Sequence, residues 1–287
     1  MLTVPYADGL FGATGCVRIT VMMKRRHGGL MSPLGLAGCC LALALLCGGC
    51  AVSPKPGLVD APPIHGLVDN PGESPWALAT ASPGAASVWE HQLFPGKTAS
   101  QYRYVYNDGR HALRAQTQAS VSLFRKKIRL PALALGEVQF SWKVPALIAN
   151  ADMALREADD SPVRLVLVFE GDRSKFSMKN AMLSELAHSM TGEPMPYATL
   201  MYVWCNTRAP GSVIINPRTD RIRKLVVESG AGRLNQWLDY KRDIAADFEQ
   251  AFGEPPGALL GIGIMTDTDN TRSSAHAWYG PVTLTKR

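Results

Sequence analysis

The sequence predicts a mainly β protein: an antiparallel, jelly-roll-like β-sandwich with one or two inserted helices. Three observations support this fold class. Apolar and polar residues alternate with period two along several short segments, as they do in half-buried strands. The triplet Asn107-Asp108-Gly109 lies between two such segments and is typical of a tight β-hairpin. Helical patterns occur at irregular intervals, which argues against regular βαβ units.

The clearest strand signals lie in the first half of the domain. Tyr102, Tyr104 and Tyr106 share one strand face by their spacing. Residues 138–144 alternate in the same way and predict a half-buried strand. Residues 163–169 are apolar on both faces except for Arg164, which is typical of a central strand.

The second half adds helices and further strands. Trp237, Tyr240 and Ile244 begin an apolar stripe at helical spacing, and Gly253 follows its end, so a helix is predicted over residues 236–252. The other elements predicted here are a helix within residues 171–191, strands over 200–205 and 222–228, and a closing hairpin formed by 259–265 and 275–285.

The N-terminal part of the chain resembles a bacterial lipoprotein signal. A basic segment at 22–29 precedes an apolar run at 30–46, and Gly48 and Gly49 lead to Cys50, the predicted lipidation site. Cys47 occupies a position where leucine is usual, and an ordinary signal peptide without lipid remains an alternative. The protein is therefore expected to be exported and held by its lipid on a bacterial membrane, the outer membrane facing the periplasm.

Three regions follow from this pattern. Residues 1–49 are interpreted as a signal peptide plus a gene-model extension. Residues 50–86, rich in proline, glycine and alanine, are expected to form a lipid-anchored tether. Residues 87–287 are expected to form a single β-sandwich domain.

Charge and cysteine content exclude several classes of protein. The net charge of +6 is modest and lies partly in the basic segment of the signal, so it does not indicate a nucleic-acid partner. Cys205 is the only cysteine after Cys50. We therefore expect a buried thiol at Cys205, no internal disulfide and no cysteine-based metal site.

The polar stretch 266–271 is the strongest site candidate. It places Asp267, Asp269 and Asn270 at the mouth of the predicted closing hairpin, with Trp278 on the next strand. Clustered oxygens suit a calcium ion, but Arg272 stands where an EF-hand loop requires glycine, and Trp278 stands where it requires glutamate. A calcium ion held by another loop geometry is one alternative, turn bracing is a second, and ligand contact is a third.

Asp160 and Arg164 extend this candidate. Asp160 could face Asp267 or Asp269 across a cleft, as the paired carboxylates of a glycoside hydrolase do. Pairing of Asp159 or Asp160 with Arg164 or Arg242 is an equally good interpretation. The sequence contains no Gly-x-Ser-x-Gly elbow, phosphate-binding glycine loop or His-Glu-x-x-His helix.

Several short motifs together resemble the DUF3047 family, exported bacterial proteins of uncharacterised function. They are Asp159-Asp160 before Arg164, Tyr202-Val203-Trp204, Val227-Glu228-Ser229-Gly230, Trp237 with Arg242-Asp243, Asp247-Phe248 and, above all, Thr266 to Thr271. This resemblance implies a jelly-roll-like sandwich similar to carbohydrate-binding modules, and it supplies no catalytic residue.

Three functions are consistent with these observations. The leading hypothesis is a non-catalytic envelope lipoprotein that binds a glycan or another polar ligand. The alternatives are a polysaccharide hydrolase and a structural or partner-binding lipoprotein. No cofactor is expected apart from the calcium alternative, and contact with the membrane is expected through the lipid alone. The candidate ligand-binding residues are Asp267, Asp269, Asn270, Trp278, Asp160 and Arg164.

Overall fold

The computed structural model describes residues 70–80 and 88–287. The described residues belong to one compact unit. The predicted signal peptide and Cys50 lie outside the described residues. Within the described part of the chain, no helix combines the length and apolar character needed to cross a membrane.

The described residues contain thirteen strands and three α-helices. The helices are α1 (Pro75–Ala79), α2 (Met178–Thr191) and α3 (Ile244–Phe252). The strands are β1 (Trp89–Gln92), β2 (Gln101–Asn107), β3 (Arg110–Gln118), β4 (Leu123–Leu130), β5 (Leu135–Lys143), β6 (Ser161–Phe169), β7 (Ala198–Cys205), β8 (Val213–Ile215), β9 (Ile222–Ser229), β10 (Trp237–Asp243), β11 (Leu259–Asp267), β12 (Ser274–Tyr279) and β13 (Thr283–Lys286).

The strands form two sheets packed face to face. Sheet A has the order β1-β4-β11-β6-β7-β9-β8, and sheet B has the order β10-β5-β12-β3-β2, with β13 also paired to β5. Every pairing is antiparallel except that of β7 with β9. The predicted fold class, a β-sandwich with inserted helices, is confirmed.

Side-chain alternation separates two apolar clusters. Leu165, Tyr202 and Ile264 belong to the main core between the sheets. Their neighbours along the same strands, such as Val166 and Val203, belong to a second cluster. Successive side chains of a strand point to opposite faces, so this second cluster lies on the outer face of sheet A. The central strands of sheet A, β11, β6 and β7, are thus buried on both faces.

The β2–β3 hairpin forms as predicted. Asn107 pairs with Arg110, which leaves a two-residue turn of Asp108 and Gly109. Both turn residues have positive φ, 48° and 77°. Two-residue hairpins favour such turns because their twist matches that of the strands.

Residues 70–80, which lie within the predicted tether, contain the helix α1. Ser74 caps α1 by accepting a hydrogen bond from the Ala77 amide. Trp76 of this helix is 0% exposed and packs 4.8 Å from Trp89, between ring centroids. A tryptophan side chain buries a large apolar area, so this contact outweighs the proline- and glycine-rich composition around it.

The predicted helix over 236–252 is wrong in its first half. Residues of β10 pair in register with β5, from Trp237 opposite Lys143 to Asp243 opposite Glu137. The helix begins only after Asp243, whose carboxylate accepts hydrogen bonds from the amides of Ala245 and Ala246. A spacing of three residues puts Trp237 and Tyr240 on one face of a helix, but in β10 Tyr240 packs against the main core and Trp237 lies on the opposite face of the sheet.

The closing hairpin is also wrong, because β11 and β12 belong to different sheets. β11 pairs with β4 and β6, whereas β12 pairs with β3 and β5. Residues 268–273 therefore cross from sheet A to sheet B. Period-two patterning identifies strands but does not identify their partners.

The predicted helix within 171–191 is present as α2, but its apolar stripe faces solvent. Met182, Leu186 and Met190 are more than half exposed. Helical spacing of apolar residues therefore predicts the helix correctly here without indicating a buried face.

Candidate functional site

Three carboxylates meet where the chain crosses between the sheets. We call Asp160, Asp267 and Asp269 the acidic cluster; one oxygen from each lies within 4.8 Å of the others. Asp160 precedes β6, and Asp267 ends the neighbouring strand β11, opposite Ser161. Strand pairing therefore brings together carboxylates that are more than a hundred residues apart.

Asp160 holds the crossing loop in place. One of its oxygens accepts hydrogen bonds from the backbone and side-chain amides of Asn270, at 3.2 and 3.0 Å. The other accepts from the amide and hydroxyl of Thr271, at 2.7 and 2.5 Å. Burial alone would raise the pKa of Asp160, but these hydrogen bonds outweigh it and the pKa lies below its ordinary value.

A buried ion network adjoins the acidic cluster. Arg164 is 2% exposed and donates to the Asp159 carbonyl at 2.7 Å and to its carboxylate at 3.1 Å. It also pairs with Asp267 at 3.1 Å. Lys224 is 0% exposed and donates to both carboxylate oxygens of Asp159 at 2.7 Å. Buried charges persist when they are paired in this way, because each satisfies the other away from water.

Asp267 has the most unfavourable environment for a carboxylate in the cluster. Burial raises the pKa of Asp267 well above its ordinary value. Asp269 and Asp160 raise it further, and the ion pair with Arg164 opposes the rise without cancelling it. Lys97 pairs with Asp269 at the solvent side.

The surrounding charges suit one bound proton. The four aspartates at 159, 160, 267 and 269 face three cations, Arg164, Lys224 and Lys97. A proton on Asp267 balances this set, and the raised pKa of Asp267 is in accord with it. The hydrogen bonds from the loop to Asp160 and the ion pair of Asp269 with Lys97 together hold the crossing loop in place.

The predicted site residues are divided between two places. Asp160, Arg164, Asp267, Asp269 and Asn270 gather around the crossing loop. Trp278 lies four residues along β12 from Ser274, about 13 Å at roughly 3.3 Å per residue. It alternates with Ala277 and Tyr279, which face the main core, so Trp278 lies on the outer face of sheet B.

Sequence reasoning missed two cations of the network, Lys224 and Lys97. Lys224 lies on β9, and its alternation with Leu225 of the main core places it on the outer face of sheet A, with Val226 two residues further on. Lys224 lies inside the predicted strand 222–228, and a charged residue within a strand was a possible signal of a buried ion pair. Its partner Asp159, however, is brought near only by the packing of β6, β7 and β9.

Trp278 is the centre of a row of side chains across sheet B. Strand register aligns Trp237 of β10, Lys143 of β5, Trp278 of β12, Arg114 of β3 and Arg103 of β2. Directly opposite residues project from the same face of a sheet. At a strand spacing of about 4.8 Å, the row spans roughly 19 Å. We call it the outer row.

Aromatic and cation–π contacts hold the side chains of the outer row in position. The Lys143 ammonium lies 5.5 Å from the centroid of the Trp278 ring, and His276 meets that ring edge-on at 5.0 Å. The Arg110 guanidinium lies 5.2 Å from the centroid of Trp237. Such contacts fix aromatic side chains in place before any ligand arrives. The outer row therefore offers flat apolar surfaces bordered by hydrogen-bond donors.

A separate cleft of about 540 Å³ lies between β1 and the end of α2. Its lining includes Glu90, Arg125 and Glu193. Arg125 donates to both glutamates at 2.7 Å. Arg125 and then Lys127 lower the pKa of Glu193 to about 2. Glu193 is thus ionised, and both glutamates are engaged in ion pairs with Arg125.

Fold and site together define a β-sandwich with a braced sheet crossing and an aromatic, basic outer row. The chain belongs to the DUF3047 family, proteins of unknown function, whose model matches residues 87–283. The predicted family membership is confirmed. Comparison with curated protein sequences gives no match.

Solved structures with related architecture include two carbohydrate-associated domains. One is the family 11 carbohydrate-binding module of the cellulosomal cellulase Lic26A-Cel5E of Clostridium thermocellum, with 8% identity, a TM-score of 0.36, and coverage of 72% of this chain and 92% of that one. The other is the xyloglucanase domain of NopAA from Sinorhizobium fredii in complex with cellobiose, with 9% identity, a TM-score of 0.35, and coverage of 70% and 94%.

Proposed function

We propose that this protein is a non-catalytic envelope lipoprotein that binds a glycan on the outer face of sheet B. In this proposal Cys50 carries the lipid, and the segment between Cys50 and the first described residue, Asn70, links the domain to the membrane. The observation that carries the binding proposal is the outer row, with Trp278 at its centre.

The chemistry of the outer row suits a sugar chain. A pyranose ring has flat apolar faces that stack on an indole, and its hydroxyls require hydrogen-bond partners around that contact. Trp278 supplies the indole, and His276 and Gln116 lie beside it on paired positions of β12 and β3. The open, extended shape of the row suits a polymer better than a small enclosed ligand.

The buried carboxylates favour binding over hydrolysis. Glycosidases place two carboxyl groups roughly 5–10 Å apart across an open cleft. The oxygens of the acidic cluster lie within 4.8 Å of one another, and Asp160 and Asp267 are almost inaccessible. In the cleft beside α2, the low pKa of Glu193 is unsuited to a general acid.

The acidic cluster and the network around it support a bracing role for the remaining predicted site residues. The carboxylate of Asp160 binds the loop, and the terminal guanidinium nitrogen Nη2 of Arg164 binds Asp159 and Asp267. In this interpretation the cluster maintains the domain, and the outer row binds the ligand.

The test is glycan binding by the full chain carrying Cys50→Ser, which prevents lipidation, on a polysaccharide array followed by calorimetry. Trp278→Ala should weaken binding roughly 10- to 100-fold, because burying a ring-sized apolar surface contributes about 1.5–3 kcal/mol. Tyr106→Ala is the matched control, since Tyr106 is a half-exposed aromatic on the other face of β2. Equal affinity of the Trp278→Ala variant and the parent would refute this site.

A further inference from the structure

Two arginines lie directly opposite each other on sheet B without partners. Arg103 of β2 and Arg114 of β3 are paired in register. Neither guanidinium makes a hydrogen bond or ion pair with any residue in 70–80 or 88–287. Other basic residues on this face have carboxylate partners: Arg110 with Asp239, Lys143 with Asp108, and Lys241 with Glu137.

This arrangement is unfavourable in the free protein. Like charges directly opposite on neighbouring strands destabilise a sheet. Arg114 is half-buried, and its Nε is inaccessible to solvent and has no hydrogen-bond partner within the described residues. A buried donor without a partner costs the free energy of removing it from water.

The positive charge of Arg114 affects His276 on the same face of sheet B. His276 lies opposite Gln116, two residues from Arg114. Burial lowers the pKa of His276, and the charge of Arg114 lowers it further. No carboxylate in the described part of the chain pairs with either arginine, so this end of the outer row is basic.

We propose that Arg103 and Arg114 form a subsite for an anionic group of the glycan, so that the outer row recognises an acidic polysaccharide. This inference rests on the proposed function. A guanidinium binds carboxylate or sulfate oxygens through paired N–H donors, and Arg103 and Arg114 offer two such groups from directly opposite strand positions, whose Cα atoms lie about 5 Å apart. Trp278, opposite Arg114 on its other side, would hold the sugar ring that carries the anion.

The experiment compares three probes on the full Cys50→Ser chain by isothermal titration calorimetry. The probes are an oligogalacturonate, the same oligomer with methyl-esterified carboxyls, and dextran sulfate. The first two differ only in charge, and the third tests sulfate in place of carboxylate. We expect one of the two anionic probes to bind, the methyl ester to bind at least about tenfold more weakly than its acid, and binding to weaken as salt is raised.

Arg103→Gln and Arg114→Gln should each weaken binding of the anionic probe by about tenfold or more. Arg129→Gln is the charge-matched control, because Arg129 is exposed on sheet A. Without ligand, Arg103→Gln should raise the melting temperature, by about 1–3 °C, since it removes the repulsion.

The outcomes separate the two proposals. Equal binding of the acid and its ester, or unchanged binding by both arginine variants, overturns the anionic subsite and leaves glycan binding intact. Failure of the full chain to bind these probes and any neutral glycan on the array overturns both proposals. Loss of binding in Arg129→Gln equal to that in Arg114→Gln attributes the effect to net charge and also overturns the subsite.

Discussion

Replacing Arg164 by methionine tests the bracing role of the buried network. Methionine keeps most of the apolar length of the side chain and removes its charge. The substitution eliminates the contacts of Arg164 to the Asp159 carboxylate and to Asp267, both at 3.1 Å. Asp159 keeps Lys224, whereas Asp267 is left without a cation that contacts it directly.

The expected cost follows from this burial. Breaking a buried ion pair by removing one partner costs about 3–5 kcal/mol, because the other charge stays buried and unpaired. For a domain of this size that corresponds to a drop in melting temperature on the order of 10 °C. This full cost applies above the folded pKa of Asp267, where its carboxylate is charged. The deficit should shrink below that pKa, because the proton that Asp267 then carries removes the uncompensated charge.

Urea denaturation monitored by circular dichroism measures this cost. The control is Arg129→Met, which breaks an exposed pair with Glu170 and should cost less than about 1 kcal/mol. A loss below about 1 kcal/mol in Arg164→Met would refute the bracing role, because it would mean that the buried carboxylates do not depend on this cation.

Two further predictions concern stability. The pKa of Asp267 is raised in the folded protein. Its contribution to the free energy of unfolding is therefore fully present below the pKa of the unfolded state, about 3.9, and is lost as the pH rises through the folded pKa. Asp267→Asn should remove this decline of stability with pH, as measured by urea denaturation from pH 4 to 8. If stability falls with pH as steeply in the variant as in the parent, Asp267 does not hold a proton in the folded protein. A calcium-induced stabilisation that the variant lacks would instead indicate a cation in the cluster. Trp76→Ala should cost about 3–5 kcal/mol if α1 belongs to the domain core. Leu78→Ala, at a 79% exposed position on the same helix, should be nearly neutral, and equal effects of the two substitutions would contradict the packing described.

The fold class could be predicted because it depends on local patterns. Alternation along β5 and the Asn107-Asp108-Gly109 turn are properties of neighbouring residues, and the structure reproduces both. The strand β10 was missed because Trp237 and Tyr240 are three residues apart, which matches one face of a helix, whereas in the strand they lie on opposite faces of sheet B. Residues 237–243 form a strand rather than a helix because they pair with β5.

The candidate site was predictable in composition but not in arrangement. The proximity of Asp160 to Asp267 and Asp269 and the pairing of Asp159 with Arg164 were accessible as hypotheses from residue type and proximity to strands. The position of Trp278 was not, because it depends on which sheet β12 joins. A hairpin with β11 would keep Trp278 near Asp267, whereas the crossing places it on the outer face of sheet B.

The braced crossing and the outer row are linked by strand register. The Tyr279 hydroxyl donates to the Met265 carbonyl at 2.7 Å and accepts from the Arg164 amide at 3.3 Å. These contacts tie β12 to the strands that carry the buried network. A slip of one residue along β12 would turn Tyr279 outward and Trp278 into the core, since side chains alternate between the faces. The buried charges at the crossing are therefore compatible with a binding role elsewhere: by fixing where β12 begins, they determine which face presents Trp278.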